Sequence, residues 1–205
     1  MRQESASAYR NETPIKDVLA NLVGEGPADI LEIASGTGQH SAAFCSAFPQ
    51  MNWWPTDYDA ENLPSIEAWR VHSECQNLQK GHQLDVTFKA WRTGAAISGL
   101  PDKVSGMFCA NMVHISPWAA TEGLFEGAAH RVTSGGFLYI YGPYAREGRH
   151  TSDGNEQFDA SLRARNPEWG IRNLEDVQAL GEGNGLTLSE IIQMPANNLS
   201  LIFRS

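Results

Sequence analysis

A short glycine loop, set between an apolar run and a helical pattern, constrains the fold of this chain more than any other stretch. The run Ile30 to Ala34 is rich in branched residues and too short for a helix, which predicts a buried strand. Small residues then stop the run at Ser35-Gly36-Thr37-Gly38, where glycine permits a left-handed backbone. Residues 41–48 carry apolar side chains at helical spacing. Strand, glycine turn and helix together form a unit that binds nucleotide-like ligands at the helix N-terminus.

Two classes of cofactor use this unit, and the spacing of the small residues separates them. A dinucleotide site requires G-x-G-x-x-G, whereas this chain has Gly36 and Gly38 but no third glycine. The stretch Glu32 to Gly38 instead resembles the E/D-x-G-x-G-x-G signature of class I S-adenosylmethionine (SAM) methyltransferases, with Ala34 in place of the first glycine. The alternative is an ordinary strand-to-helix turn. The resemblance predicts a cofactor site that includes Glu32, Ala34, Ser35, Gly36, Thr37, Gly38 and His40.

Acidic residues follow the next two predicted strands. Met51 to Thr56 reads as the second strand and ends in Asp57-Tyr58-Asp59, about twenty residues after the glycine loop, where an acid reaches ribose hydroxyls in this architecture. A carboxylate can accept two hydrogen bonds at once, and Asp57 is a better candidate than Asp59 because it adjoins the strand. A pair of solvated loop acids is the alternative. In class I methyltransferases the acid after the third strand faces adenine, so the resemblance implies that Asp85, flanked by Leu84 and Val86, lies at the base.

The fourth predicted strand, Val104 to Ala110, leads into the candidate catalytic residues. Asn111 and His114 interrupt an apolar stretch at the carboxyl edge of the sheet, where ligand crevices form. His114 could act as a general base or orient the methyl acceptor, with Asn111 nearer the cofactor. The alternative is a structural histidine with satisfied hydrogen bonds.

Strands and helices alternate along the chain, which predicts an α/β fold with a doubly wound, mostly parallel sheet in a single domain, 1–205. The linker 194–198 predicts a hairpin and therefore an antiparallel last strand. The first helix is predicted to begin at Thr13-Pro14 and to end at Gly24. The residues before it, within a segment 1–24, are either solvent-exposed or fold over the ligand as a lid.

The segment 145–172 interrupts the alternation and is too long for a simple connection, so it is predicted to recognise the substrate. It is rich in arginine although the chain has a net charge of −9. Because an arginine fork suits carboxylate or phosphate groups, we predict a small acceptor with an anionic group held by Arg172. The predicted substrate residues are Arg10, Asn11, Trp118, Tyr144, His150 and Arg172.

Composition limits the class of partner. Hydrophobic residues make up 41% and charged residues 19% of the chain, as in a globular protein, and the acidic balance disfavours nucleic acid. Neither a secretory signal nor an apolar run of membrane-spanning length is present, so we expect a cytoplasmic protein with no membrane partner. Three widely spaced cysteines indicate free thiols, and Cys/His pairs at metal-ligand spacing are absent, which predicts no metal site. The oligomeric state is not indicated.

Longer stretches resemble one family more specifically than the glycine loop does. Leu31 to His40, Asn111 to Trp118, Tyr141 to Tyr144, Trp169 to Arg172 and Met194 to Leu199 resemble the methyltransferase-like 26 family, which is classed with SAM-dependent methyltransferases by similarity. The resemblance implies a seven-stranded class I fold, SAM as the cofactor and an unassigned small-molecule acceptor. Two alternatives remain open: a regulatory protein that binds SAM or a nucleotide without catalysis, and an NAD-dependent oxidoreductase.

Overall fold

A central sheet of eight strands organises the protein in the computed structural model, which describes all residues 1–205. The strands are β1 (Ala28–Ile33), β2 (Met51–Asp57), β3 (His82–Gln83), β4 (Val104–Ala110), β5 (Val132–Ala145), β6 (Arg172–Asn173), β7 (Thr187–Met194) and β8 (Asn198–Arg204). The helices are α1 (Ala6–Leu22), α2 (Gln39–Ala47), α3 (Leu63–Ser73), α4 (Lys89–Arg92), α5 (Trp118–Arg131), α6 (Asp153–Arg165) and α7 (Leu174–Gly183). No helix is both long and apolar enough to span a membrane.

Seven strands follow the order β3-β2-β1-β4-β5-β8-β7, and β6 pairs with β5 outside this path. The strands from β1 to β5 pair in parallel, whereas β8 is antiparallel to both β5 and β7, so the predicted sheet type and the antiparallel C-terminal strands are confirmed. The chain passes from β1 to β2 on one side and later returns to β4 on the other side of β1. In parallel sheets such a reversal opens a crevice at the carboxyl ends of the two central strands.

Each face of the sheet is covered by a separate apolar core. One core packs β1, β4 and β5 against α5 and α7 through residues such as Leu124, Phe125 and Val177. The other contains Phe44, Trp53 and buried residues of α1 and α2. Because the sheet is apolar on both faces, the strands read as nearly continuous hydrophobic runs, and β4 has the bounds predicted from such a run.

The first helix begins earlier than predicted. α1 starts at Ala6, with the Ser5 hydroxyl accepting a hydrogen bond from the N–H of Ala8, and it continues through Pro14. The predicted start at Thr13-Pro14 is therefore wrong. A proline removes one helical hydrogen bond without stopping the helix when other contacts hold both halves. Here backbone groups before and within the first turns bond to Ser65, Gln39 and His40, contacts that local sequence patterns do not reveal.

The segment 145–172 contains α6 and folds back onto the sheet edge. Ser152 caps α6 by accepting a hydrogen bond from the N–H of Asn155. The Asp159 carboxylate accepts the N–H of Ile171 at 2.6 Å and the Nε–H of Arg163 at 2.8 Å. These bonds tie the end of the segment to α6, and the Gly170 N–H then donates to the His114 carbonyl at 3.1 Å. The segment is therefore fixed against the loop that follows β4.

A buried acid lies at the centre of β1. The Glu32 carboxylate accepts hydrogen bonds from the Ser41 hydroxyl and from Trp53 Nε1, the latter at 2.7 Å, and the side chain is 2% exposed. Burial outweighs these hydrogen bonds and raises the pKa of Glu32 to about 7. The residue joins β1, α2 and β2 below the glycine loop, and its carboxylate is occupied by protein donors.

Replacing Glu32 by glutamine is expected to make stability less dependent on pH. With a pKa raised from 4.5 to about 7, the folded protein keeps a proton that the unfolded chain releases, so Glu32 lowers stability as pH rises through this range. From pH 5 to pH 8 the wild type should lose about 2–3 kcal/mol of unfolding free energy relative to the Glu32→Gln variant. Denaturant titrations of both proteins at the two pH values measure this difference. If the stabilities of the two proteins changed in parallel with pH, the raised pKa of Glu32 would be contradicted.

Candidate active site

The glycine loop has an exposed backbone at the carboxyl end of β1. Ala34, Gly36 and Gly38 have φ angles of 57°, 55° and 84°, so each lies in the left-handed region. A Cβ atom on Gly38 would lie 2.7 Å from the Cα of Ile66, whereas one on Gly36 would meet no atom within 4 Å. Gly38 is therefore required for packing against α3. Gly36 leaves open space at the sheet edge, where a ligand can lie directly against the backbone.

Asp57 supports this loop from the end of β2. Its Oδ2 accepts the Gly36 N–H at 2.7 Å, and its Oδ1 accepts the Asp59 N–H at 2.9 Å and the Asn62 Nδ2–H at 3.0 Å. The side chain is buried, whereas Tyr58 and Asp59 are exposed. Three protein donors leave little remaining capacity on Asp57 for ribose hydroxyls. Asp59 uses only Oδ1, which accepts the N–H of Glu61, so its Oδ2 faces no protein donor.

Asp57→Asn is expected to lower the free energy of unfolding by about 1–3 kcal/mol, because an amide NH₂ would replace an oxygen that accepts a buried N–H. Asp59→Asn is the matched control. Asparagine keeps the oxygen that accepts the Glu61 N–H, and the site is exposed, so stability should change by less than about 0.5 kcal/mol. Denaturant unfolding of the two variants measures the contrast. Equal losses would show that Asp57 does not support the glycine loop.

The predicted adenine segment lies at the end of β3. Asp85 Oδ1 accepts hydrogen bonds from the N–H and the hydroxyl of Thr87, at 2.8 Å and 2.7 Å. Leu84 and Val86 are buried in the core on the α5 side. Asp85 is partly exposed, and its Oδ2 has no protein donor. Of these three side chains, Asp85 has the greatest capacity to contact a ligand.

Asn111 and His114 come together over Gly142 of β5. A Cβ on Gly142 would lie 3.1 Å from His114 Nδ1 and 3.9 Å from Asn111 Oδ1, so a larger residue here would press on the imidazole ring. Asn111 has a φ of 63°, and its N–H donates to the Tyr141 carbonyl at 2.8 Å. A left-handed asparagine directly after a strand turns the chain sharply at the sheet edge.

His114 is buried, and its ring packs edge-on against Phe158 of α6 with centroids 5.6 Å apart. Burial, assisted by the Arg172 charge, lowers the pKa of His114 to about 3. The imidazole is therefore neutral at physiological pH. A neutral ring nitrogen can accept a hydrogen bond, although so low a pKa makes it a weak base.

Arg172 fixes the loop that carries His114. Its Nη2 donates to the carbonyls of Ser116 and Glu168, each at 2.8 Å, and its Nε donates to the Val113 carbonyl at 3.3 Å. The guanidinium carbon lies 5.8 Å from the centroid of the Trp118 ring. Most of its donors are engaged by backbone carbonyls, so the structure places Arg172 as a clamp on residues 113–116.

The other predicted residues lie in different surroundings. His40 bonds through Nε2 to the Ala8 carbonyl at 3.1 Å and stacks on Phe44, with its pKa lowered by burial to about 4. Tyr144 is buried in the core. His150 Nε2 lies 3.6 Å from Asp159 Oδ2 within the segment 145–172. Arg10 and Asn11 lie on α1.

Sequence reasoning missed two contributors to this site, Phe158 and Gly142, which lie beside the His114 ring. Tyr141 faces the opposite side of β5, where its hydroxyl is buried and has no hydrogen-bond partner. Alternation along β5 indicates which face a residue occupies, but the residues that face it come from distant parts of the chain.

Solved structures with a similar fold include proteins described as O-methyltransferase family members. An O-methyltransferase family protein from Burkholderia thailandensis is 15% identical, with a TM-score of 0.77 over 97% of this chain and 57% of its own. An O-methyltransferase family 2 protein from Planctomyces limnophilus, in complex with apigenin, is 16% identical, with a TM-score of 0.74 over 97% of this chain and 60% of its own. PigF with SAH is 12% identical, with a TM-score of 0.74 over 96% and 56%.

At these identities the comparison establishes the fold, which is the Rossmann-like fold of class I methyltransferases. This chain spans somewhat more than half the length of those proteins. Residues 2–205 match the protein family described as a protein of unknown function (DUF938), and the chain belongs to that family.

Proposed function

We propose that this protein is a SAM-dependent methyltransferase that transfers a methyl group to a small-molecule acceptor. The observation that carries the proposal is the arrangement of the sheet edge. Open space over the bare backbone of Gly36 follows β1, and the polar side chains of Asn111 and His114, which lie over Gly142, follow the neighbouring parallel strand β4. One ligand can lie along the loop while another approaches from the β4–β5 side.

The residues at the carboxyl edge suit an adenosine-containing cofactor. Gly36 allows close approach, and Asp59 and Asp85 each present a carboxylate oxygen without a protein donor toward ligand hydroxyl or amino groups. PigF, which has the same fold, was solved with SAH. When bound, SAM supplies an activated methyl group on its sulfonium, so the protein needs chiefly to align an acceptor.

His114 would then orient the acceptor hydroxyl. Its neutral ring nitrogen can accept the hydroxyl proton in a hydrogen bond, and the clamp formed by Arg172 prevents the loop from shifting. Asn111, on the same loop and nearer β4, can hold either the acceptor or the cofactor through its amide. Phe158 packs against the His114 ring, which helps keep water from this side of the site.

Two alternatives make different binding predictions. An NAD-dependent oxidoreductase requires a third glycine three residues after Gly38, where this chain has Ser41, buried at the start of α2. A regulatory protein that binds SAM without catalysis would bind cofactor but transfer nothing. The resemblance to the methyltransferase-like 26 family stays a prediction, as does the assignment of residues 145–172 to acceptor recognition.

Isothermal titration of the full chain with SAM, S-adenosylhomocysteine and NAD tests the cofactor class. We expect SAM and S-adenosylhomocysteine to bind with micromolar dissociation constants and NAD to give no saturable heat. Binding of NAD without SAM would favour the oxidoreductase. Absence of binding by all three would overturn the proposal.

A further inference from the structure

Three groups from the segment 145–172 hold the loop that carries His114. The Gly170 N–H donates to the His114 carbonyl at 3.1 Å. The Arg172 guanidinium donates to two further carbonyls of the loop, and the Phe158 ring packs edge-on against the imidazole. Because the loop lies at the edge of the sheet, the position of the imidazole depends on how this segment is itself held.

One carboxylate, that of Asp159, connects these three groups. Asp159 directly follows Phe158 in α6, and its Oδ1 accepts the N–H of Ile171 at 2.6 Å. Ile171 lies between Gly170 and Arg172, so this bond fixes the backbone immediately before and after it. A buried N–H needs an acceptor, and here the acceptor is a side chain from another element. The carboxylate therefore determines where both loop-holding groups lie.

The turn at Gly170 lies directly against this carboxylate. Gly170 has a φ of 146°, which L side chains rarely adopt. A Cβ here would lie 2.7 Å from Asp159 Oδ1 and 2.6 Å from Arg163 Nη2. The absence of a side chain lets the turn approach Asp159 and its arginine partner closely enough for the Ile171 N–H to reach Oδ1.

α6 has other anchors besides Asp159. Leu162 is fully buried, and Asn155 Nδ2 donates to the Asn197 carbonyl at 3.3 Å. The ion pair between Asp159 and Arg163 lies within α6, and the arginine side chain is 50% exposed. Such a pair adds little to stability. The Asp159 carboxylate is therefore more important for the turn 169–172 than for the helix that carries it.

We propose that Asp159 is a positioning residue for methyl transfer, which holds the turn 169–172 and through it orients the His114 ring toward the acceptor. Asp159 acts through the Ile171 N–H, whereas His114 faces the reacting hydroxyl. This inference rests on the proposed function for the role of His114. The ordering of the loop is tested without any acceptor.

The test compares Asp159→Ala with the wild type as full chains. Hydrogen exchange followed by mass spectrometry should show residues 112–117 and 169–173 exchanging at least about tenfold faster, with β1 unchanged. Transfer of label from isotopically labelled SAM into the small molecules of a metabolite extract should fall about ten- to a hundredfold, because a misplaced group loses its alignment. The affinity for S-adenosylhomocysteine should change by less than about twofold, because the glycine loop is outside this set of contacts.

Arg163→Met is the matched control, since it removes the ion pair and leaves the bond from Ile171 to Asp159. Its exchange at 112–117 and its transfer should stay within about twofold of the wild type. Asp159→Asn offers one oxygen to two N–H donors, those of Ile171 and Arg163, and should give an intermediate loss. Adding Arg163→Met to Asp159→Asn should then restore slow exchange and transfer, because the oxygen is free to accept the Ile171 N–H.

These variants separate positioning from a general contribution to stability. Equal acceleration of β1 and of 112–117 in Asp159→Ala, or equal effects of Asp159→Ala and Arg163→Met, overturns the positioning role. If Asp159→Ala does not fold, Asp159→Asn decides, and failure of Arg163→Met to restore it counts against the proposal. If the wild type transfers no label, the proposed function fails, and hydrogen exchange still decides whether Asp159 orders the His114 loop.

Discussion

Gly36→Ala is expected to reduce the affinity for S-adenosylhomocysteine by at least about a hundredfold while the protein stays folded. An alanine Cβ at this position meets no protein atom within 4 Å, so it occupies the space in which the ligand would lie. A hundredfold loss corresponds to about 2.7 kcal/mol, the scale of a steric conflict with a rigid ligand. The left-handed backbone at φ 55° adds a folding cost of about 1–2 kcal/mol.

Gly135→Ala separates these two effects. Gly135 also has a positive φ, 79°, and its Cβ would likewise meet no atom, but it lies near the start of β5, at the opposite edge of the sheet. Both variants should lose similar stability, and only Gly36→Ala should lose ligand affinity in calorimetric titration. If the two variants bind S-adenosylhomocysteine equally well, the cofactor does not lie against this loop.

His114→Gln is expected to lower methyl transfer by about two to four orders of magnitude, the range associated with a positioned proton acceptor. The affinity for S-adenosylhomocysteine should change by less than about twofold, because the proposed function assigns His114 to the acceptor and not to the cofactor. With a pKa of about 3, the ring is already neutral at pH 5, so wild-type transfer should show no histidine-dependent fall between pH 8 and pH 5.

The control for this prediction is His72→Gln, an exposed histidine on α3. Transfer is measured as radiolabel moved from SAM into the small-molecule fraction of a metabolite extract, and circular dichroism verifies the fold of each variant. A His114→Gln protein that is folded and transfers label at the wild-type rate would refute the role of His114. Loss of the folded state would instead favour a structural histidine.

The fold could be predicted from the sequence because its determinants are local. The apolar run of β1, the glycines after it and the alternation of strands and helices each depend on residues close together in the chain, and these predictions are confirmed. The start of α1 could not be predicted in this way. Its first turns are held by Gln39, His40 and Ser65, which lie more than 30 residues away.

The positions of candidate site residues were easier to predict than their contacts. Asn111 and His114 lie at the sheet edge because they directly follow a predicted strand. The partners of Asp57 and Arg172 depend on tertiary contacts: Asp57 Oδ2 bonds to Gly36, 21 residues away, and Arg172 bonds to carbonyls of Val113 and Ser116, 59 and 56 residues away. A carboxylate or an arginine in a sequence therefore indicates a charge, while the structure shows that charge already engaged by backbone groups.

Methyl transfer from isotopically labelled SAM is the measurement that tests the central claim most directly. The purified full chain is incubated with labelled SAM and a deproteinised metabolite extract, beside the Gly36→Ala and Gly135→Ala variants. We expect labelled small-molecule product with the wild type and Gly135→Ala, and none with Gly36→Ala. Binding of SAM without any labelled product from the wild type would contradict it and identify the protein as a regulatory binder.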